Sequence, residues 1–152
     1  MILSAADIPF LIVNPMITSK TIHRQTGMSY GLSLAGYDIR LAEDLWLGPQ
    51  AFKLGSTVEL FTMPNDILGR VCDKSTLARM GVQVFNTVIE PGWRGYLTLE
   101  IKNQRWMPRR LYAGQPIAQV LFERLSSPTP GYEGKYQHQQ SGPQKARRDD
   151  CV

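Results

Sequence analysis

Tyr96-Leu97-Thr98-Leu99-Glu100-Ile101 shows the clearest alternation of apolar and polar residues in the chain. Side chains of an extended strand point to opposite faces with period two, so Leu97, Leu99 and Ile101 share one face while Tyr96, Thr98 and Glu100 share the other. The first set is expected in a core. Around this segment lie further strand-like stretches at 37–41, 45–47, 57–62, 67–72, 82–85, 110–112 and 117–122. Thirteen Gly and ten Pro are scattered through the chain and cut it into short pieces with tight connections. One helical turn is predicted over Ser75–Met80, with Ser75 as its capping residue and Gly81 as its stop. A second short helix could start at Ser4-Ala5-Ala6-Asp7, with Ser4 as N-cap, before Pro9 ends it. Residues 14–33 read as irregular, with Asn14-Pro15 and Gly27 as turn signals. The sum is an all-β sandwich or barrel of jelly-roll type with short helices. After Ser126 the composition turns to Ser, Pro, Gly, Gln and Lys, so 1–126 is expected to form one β domain and 127–152 a mobile arm.

At 152 residues, 43% hydrophobic and 20% charged, the chain suits a single core. Its longest apolar stretches, such as Ile8–Val13, fall far short of the roughly 20 residues that cross a bilayer, and no membrane span is expected. Met1–Asp7 has no basic segment leading into an apolar one, so no secretory signal is expected and the reading is cytoplasmic. Two cysteines, Cys72 and Cys151, are too few for a disulfide scaffold and fit a reducing compartment. The net charge of +4 favours phosphate-bearing ligands or nucleic acid without proving either. Lys145, Arg147 and Arg148 carry part of it in the tail, where a solvated, frayed end is the simpler reading.

Several chemistries drop out. His23 and His138 stand at no metal-ligand spacing from a cysteine, so zinc is not expected. The His-x-Glu and Pro-Cys-x-x-Cys signature of zinc nucleobase deaminases is absent, as is a Walker-type phosphate loop. Four stretches remain. Asp73-Lys74-Ser75-Thr76-Leu77-Ala78-Arg79 offers two cations, two hydroxyls and free N–H groups at a helix start, the parts of an anion site, although an ordinary capped helix accounts for the same residues. Glu100 is an acid in an otherwise apolar and aromatic strand: burial would raise its pKa toward proton-shuttling use, and a solvent-facing position would leave it ordinary. Pro91-Gly92-Trp93-Arg94-Gly95 is a turn with a Trp anchor, read as structural. Gly134-Lys135-Tyr136-Gln137-His138-Gln139-Gln140 puts a cation, an aromatic ring and amides on the arm, able to close over an anionic ligand or to remain a polar tail.

Taken in order and spacing, five segments resemble the dCTP deaminase family of the trimeric dUTPase-like superfamily. They are Met28–Arg40, Lys74–Gly81, Ile89–Glu100, Ala118-Gln119 and Gly134–Gln139. The resemblance implies a homotrimer of distorted jelly-roll subunits with active sites at subunit interfaces, converting dCTP and water to dUTP and ammonia. It implies no catalytic metal, with Mg2+ arriving on the triphosphate. Glu100 then matches the general acid/base, and Ser75 and Arg79 the residues that support it. Lys74, Thr76, Tyr132, Lys135 and Gln139 match triphosphate ligands; Glu90 and Gln119 match sugar or base contacts, and Thr98 joins the substrate-binding set. Departures fall at Lys74, where a better-known branch has arginine, at Val88, at Glu90, and in the shortened stretch between residues 42 and 57.

The runner-up is a dUTPase or a bifunctional deaminase that also cleaves dUTP, because Ala35–Asp38 and Gly114–Gln119 resemble motifs of that branch. Glu100 and Lys135-Tyr136-Gln137 favour deamination over it. A third class, a nucleotide sensor or nucleic-acid-binding module, has no use for a proton-shuttling acid, and a nucleic-acid partner is not expected.

Overall fold

The computed structural model describes residues 1–10 and 12–148; Cys151 and the last part of the expected arm lie outside them. Twelve strands and one helical turn follow in order. The strands are β1 (Val13–Asn14), β2 (Thr21–Ile22), β3 (Ser29–Ser33), β4 (Gly36–Arg40), β5 (Leu45–Leu47), β6 (Phe52–Thr62), β7 (Ile67–Asp73), β8 (Val82–Val84), β9 (Val88–Ile89), β10 (Arg94–Asn103), β11 (Arg109–Leu111) and β12 (Pro116–Arg124). The helix, α1, spans Ser75–Arg79. One sheet has the order β1-β6-β10-β8, a second β2-β3-β4-β12-β7-β9, and β11 pairs with β5 in a small ribbon. Every pairing between these strands is antiparallel. The expected all-β, jelly-roll type of fold is observed.

The alternation in β10 decides how the first sheet is used. Gly95, Leu97, Leu99, Ile101 and Asn103 are buried, and Tyr96, Thr98, Glu100 and Lys102 between them are half-buried on the other face. Leu99 and Ile101 meet Ile39, Phe61, Val71, Val120 and Phe122 in one hydrophobic cluster. Burying each such aliphatic side chain contributes about 1.5–3 kcal/mol, so the core face of β10 outweighs its propensities. The core also holds a charge: Glu59 is fully buried on β6 and accepts bonds from the Arg40 backbone N–H at 2.9 Å and from Nε at 2.7 Å.

Three expectations need correction. Residues 14–33 are not irregular, since they contain β2, β3 and the end of β1. β2 is only two residues long, and β3, Ser29-Tyr30-Gly31-Leu32-Ser33, reads as polar with a central Gly, which hides both from a periodicity test although each pairs with the next strand in sequence. That glycine, Gly31, has φ +103°, and a Cβ there would lie 2.8 Å from the Ile17 carbonyl oxygen. Ser4–Asp7 forms a turn and not a helix, closed by Asp7 N–H to the Ser4 carbonyl at 2.9 Å and by Ser4 Oγ to Asp7 Oδ2 at 2.5 Å. Ser75 is the first helical residue of α1 and not its cap; Lys74 takes the N-cap position, without a side-chain capping bond. Gly81 does follow the helix end, with φ +78°.

Phe122 is completely buried between the sheets. Phe122→Ala is expected to destabilise the fold by about 3–5 kcal/mol, measured by urea unfolding at fixed protein concentration.

Candidate active site

Glu100 occupies the non-core face of β10, directly across from Leu54 of β6. On its other side the backbone N–H of Phe85 donates to the Glu100 carbonyl at 3.0 Å. Its Oε2 atom is buried and has no hydrogen-bond partner. Burial pushes the carboxyl above the usual carboxylate range, offset in part by a bond from the residue's own backbone N–H. Other acids among the described residues lack that combination. Glu59 is held by Arg40, and Glu43 accepts the Ser56 backbone N–H at 3.0 Å. Glu100 lines a cavity of about 510 Å3.

The cavity gathers Glu90, Thr98, Tyr132 and Gln139 with Glu100. Apolar walls come from Phe52 and Leu54 on β6, Val88 and Ile89 on β9, and Trp93 and Leu97. Tyr136, Gln144, Lys145 and Ala146 complete it from the arm. Arm residues as far as Ala146 thus border the cavity. The Trp93 indole N–H donates to the Tyr136 carbonyl at 2.6 Å, which makes Trp93 an anchor for the arm. The Gln137 amide bridges the segment, accepting from Arg94 N–H at 2.7 Å and donating to the Tyr132 carbonyl at 2.6 Å and the Gly92 carbonyl at 3.0 Å. Gln139 runs parallel to Gly95, and its carbonyl accepts Tyr96 N–H at 3.0 Å. Gly95 permits this approach, because a Cβ there would fall 2.8 Å from the Gln139 nitrogen. The Thr98 hydroxyl accepts both the Gln139 side-chain amide and the Gln144 backbone N–H, so in this structure it serves the arm.

Lys74, Ser75, Thr76, Arg79, Gln119 and Lys135 do not line the cavity. Five of them belong to a second surface, formed where β7 runs into α1. Lys74 Nζ pairs with Asp38 Oδ2 at 2.7 Å, and Asp38 sits opposite Gln119 in the β4–β12 ladder. Gln119 Nε2 donates to Ser33 Oγ at 2.9 Å. Ser75, Thr76 and Arg79 are exposed along the helical turn. Lys135 lies on the arm with its Nζ 5.6 Å from the Tyr136 ring centre, and its carbonyl accepts from Arg147 Nη1 at 3.1 Å. Phe52, Leu54, Gln144 and Lys145 were not singled out as site residues by sequence. The first two sit on a strand whose pattern speaks only of burial, and the last two fall in a tail with no period at all.

A model of the dCTP deaminase-like family matches residues 16–125. The chain belongs to this family. A dCTP deaminase of Roseiflexus castenholzii is 37% identical, over 74% of this chain and 79% of the relative. One from Chlamydia pneumoniae is 34% identical over 85% and 87%. Among solved structures, a single-residue mutant of the dUTPase from Staphylococcus aureus phage phi11 superposes with a TM-score of 0.58 at 18% identity, over 82% of this chain and 96% of that one. That likeness shows the dUTPase-like fold. That phage dUTPase coordinates a structural Mg(II) ion.

Because its pKa is raised on folding, Glu100 contributes stability in full below the unfolded pKa and loses it as pH rises through the folded value. Glu100→Gln is therefore expected to match the parent in urea unfolding near pH 4 or below, about where unfolded glutamate titrates, and to exceed it at neutral pH.

Proposed function

We propose that this protein hydrolyses dCTP to dUTP and ammonia, with Glu100 as the proton-transferring group. The carrying observation is the buried, unpartnered Oε2 of Glu100, a residue that lines a cavity bordered by the arm. Deamination at C4 needs a base toward water and afterwards an acid toward nitrogen, and a desolvated carboxyl with a raised pKa serves both steps. The ionised carboxylate takes a proton from water as its oxygen bonds to C4. The protonated acid delivers that proton to ring N3, then takes the second water proton from the C4 hydroxyl and passes it to the amine nitrogen, so that C4=O forms as the C4–N bond breaks and ammonia departs. Trp93 and Tyr136 keep bulk water from this step by holding the arm in place.

The single chain supplies only part of such a site. Glu100, Glu90, Tyr132 and Gln139 lie on one surface, and Ser75, Arg79, Lys74, Thr76 and Gln119 on another. A symmetric assembly that brings the second surface of one copy over the cavity of the next would join them, which supports a homotrimer with interface sites. In that arrangement Ser75 and Arg79 of the neighbouring copy orient the water and balance developing charge. Lys74, Thr76, Lys135, Tyr132 and Gln139 hold the triphosphate, Lys74 exchanging its Asp38 partner for phosphate. Thr98 belongs to the substrate set through the arm residues it positions, and Glu90 and Gln119 contact sugar or base. The site of action is the cytoplasmic pool of free nucleotides.

Mg2+ fits as an ion carried by the nucleotide. No group of three or more His, Cys, Asp or Glu among the described residues forms a protein-built cage, and Mg2+ on phosphates needs few protein ligands. Bound there, it would neutralise part of the triphosphate charge. Among the described residues no helix is long and apolar enough to cross a membrane.

Incubation with dCTP and with dUTP, each with Mg2+, followed by chromatography, is expected to show dUTP and ammonia from dCTP; pyrophosphate from dUTP would reveal a second activity. Glu100→Gln should lower ammonia release at least about 100-fold while leaving dCTP affinity within about threefold. Near-native turnover would overturn the role of Glu100. Ser75→Ala and Glu100→Gln chains, each inactive alone, are expected to regain activity when unfolded together and refolded as a mixture, since one mixed interface then carries both intact residues. No recovery would count against shared sites.

A further inference from the structure

The polarity of the cavity changes along the strands that build it. At one level, Thr98 faces Ser56 across the β10–β6 ladder, and both side chains are occupied by polar arm groups, Ser56 Oγ accepting Gly142 N–H at 3.2 Å. At the next level, Glu100 faces Leu54. One further, Lys102 faces Phe52, and the Lys102 ammonium is turned away to the Gln50 carbonyl. Phe52 remains 51% exposed and meets Phe85 edge-on at 6.0 Å between ring centres. Of the ladder side chains that line the cavity, Thr98 on one side of Glu100 carries a hydroxyl, while Leu54 and Phe52 on the other are wholly apolar.

A cytosine ring has the same asymmetry. Its reacting C4 is flanked by N3, which needs hydrogen-bonding partners, and by C5, which carries only hydrogen. With C4 at Glu100, the unfavourable burial of an unpaired N3 turns that edge to the polar side and directs C5 toward Leu54 and Phe52. Cross-strand neighbours are spaced about 4.5–5.5 Å apart at Cβ, so Leu54 borders whatever is bonded to C5. Hydrogen at that position leaves the apolar wall uncovered, whereas a methyl group covers it. Its bulk is comparable to one water molecule, roughly 30 Å3, against a cavity of about 510 Å3.

We propose that the site also takes cytosine deoxynucleotides methylated at C5, converting 5-methyl-dCTP to thymidine triphosphate. This rests on the deamination reading above and extends its substrate class. The bonds changed are the same: water oxygen joins C4, the C4–N bond breaks, nitrogen leaves as ammonia, and the ring keeps a proton on N3. The methyl group is untouched, and no oxidant or reductant takes part.

The experiment runs dCTP and 5-methyl-dCTP side by side on the full chain with Mg2+, separating products by anion-exchange chromatography. The expected result is thymidine triphosphate formed with kcat/KM at least one-tenth of that for dCTP. Phe52→Ala and Leu54→Ala should each lower the ratio of the two kcat/KM values severalfold, chiefly through KM for the methylated substrate. Phe52 is exposed, so its variant tests the wall without threatening the fold. Turnover of dCTP with 5-methyl-dCTP below one-tenth, or a ratio unmoved in both variants, overturns this inference and leaves dCTP deamination standing. If a chain with an intact β-sheet circular dichroism spectrum releases ammonia from neither nucleotide, deamination itself falls, and this extension with it.

Discussion

Strand β10 lies between β6 and β8, and its period-two geometry obliges neighbouring residues to take opposite environments. Leu99 and Ile101 go into the core, which holds Glu100 between them on the other face, while Leu97, at an irregularity in the ladder, packs in the core and also borders the cavity. Glu100 is half-buried there, flanked by adjacent strands in a cavity that arm residues also line, and its carboxyl is partly desolvated. Its raised pKa follows from this placement, as does the absence of a partner for Oε2. A register shift of one residue would exchange the two faces, burying the acid in the core and exposing the leucines.

The arm owes its position to backbone chemistry more than to side-chain packing. Arg94 and Tyr96 N–H groups at the start of β10 are satisfied by arm oxygens, and the Arg94 carbonyl accepts His138 N–H at 2.8 Å. Buried main-chain groups need partners, so a segment of low hydrophobicity can still dock firmly where a strand offers unpaired groups. The Trp93 indole adds an anchor, and the missing Cβ of Gly95 admits the close approach. The Arg147 backbone N–H then donates to the Tyr136 hydroxyl at 2.9 Å, drawing the tail back across the cavity. Lys145, which reads from sequence as part of a frayed end, lines the cavity for this reason.

The proposed function divides across two surfaces of one chain. The cavity holds an acid without the cation and hydroxyls expected to work with it, and α1 presents those groups outward. Five-residue α1 is too short for its dipole to define an anion site alone, so its Lys, Ser, Thr and Arg side chains must supply the recognition. Under the proposed function, such a division makes assembly a condition of activity and not an addition to it.

Much of this was legible in the residues. Alternation at 96–101, the glycine stop at 81 and the punctuating Gly and Pro identified an all-β fold, because burial and φ limits act locally. Order and spacing of five short segments pointed to the family, and Glu100 stood out as a charge where an apolar strand should continue. Strands β2 and β3 were hidden, since β2 is two residues long and β3 has no apolar period of its own, even though their pairing partners are near in sequence. Sequence alone also left two environments open to Glu100, solvent or cavity, because a strand's second face is decided by what packs over it. Only the tertiary structure made that choice, by laying the arm across β10 and setting Leu54 and Phe52 beside the carboxyl. Local sterics and hydrophobic alternation are written along the chain, whereas desolvation depends on what is adjacent in space.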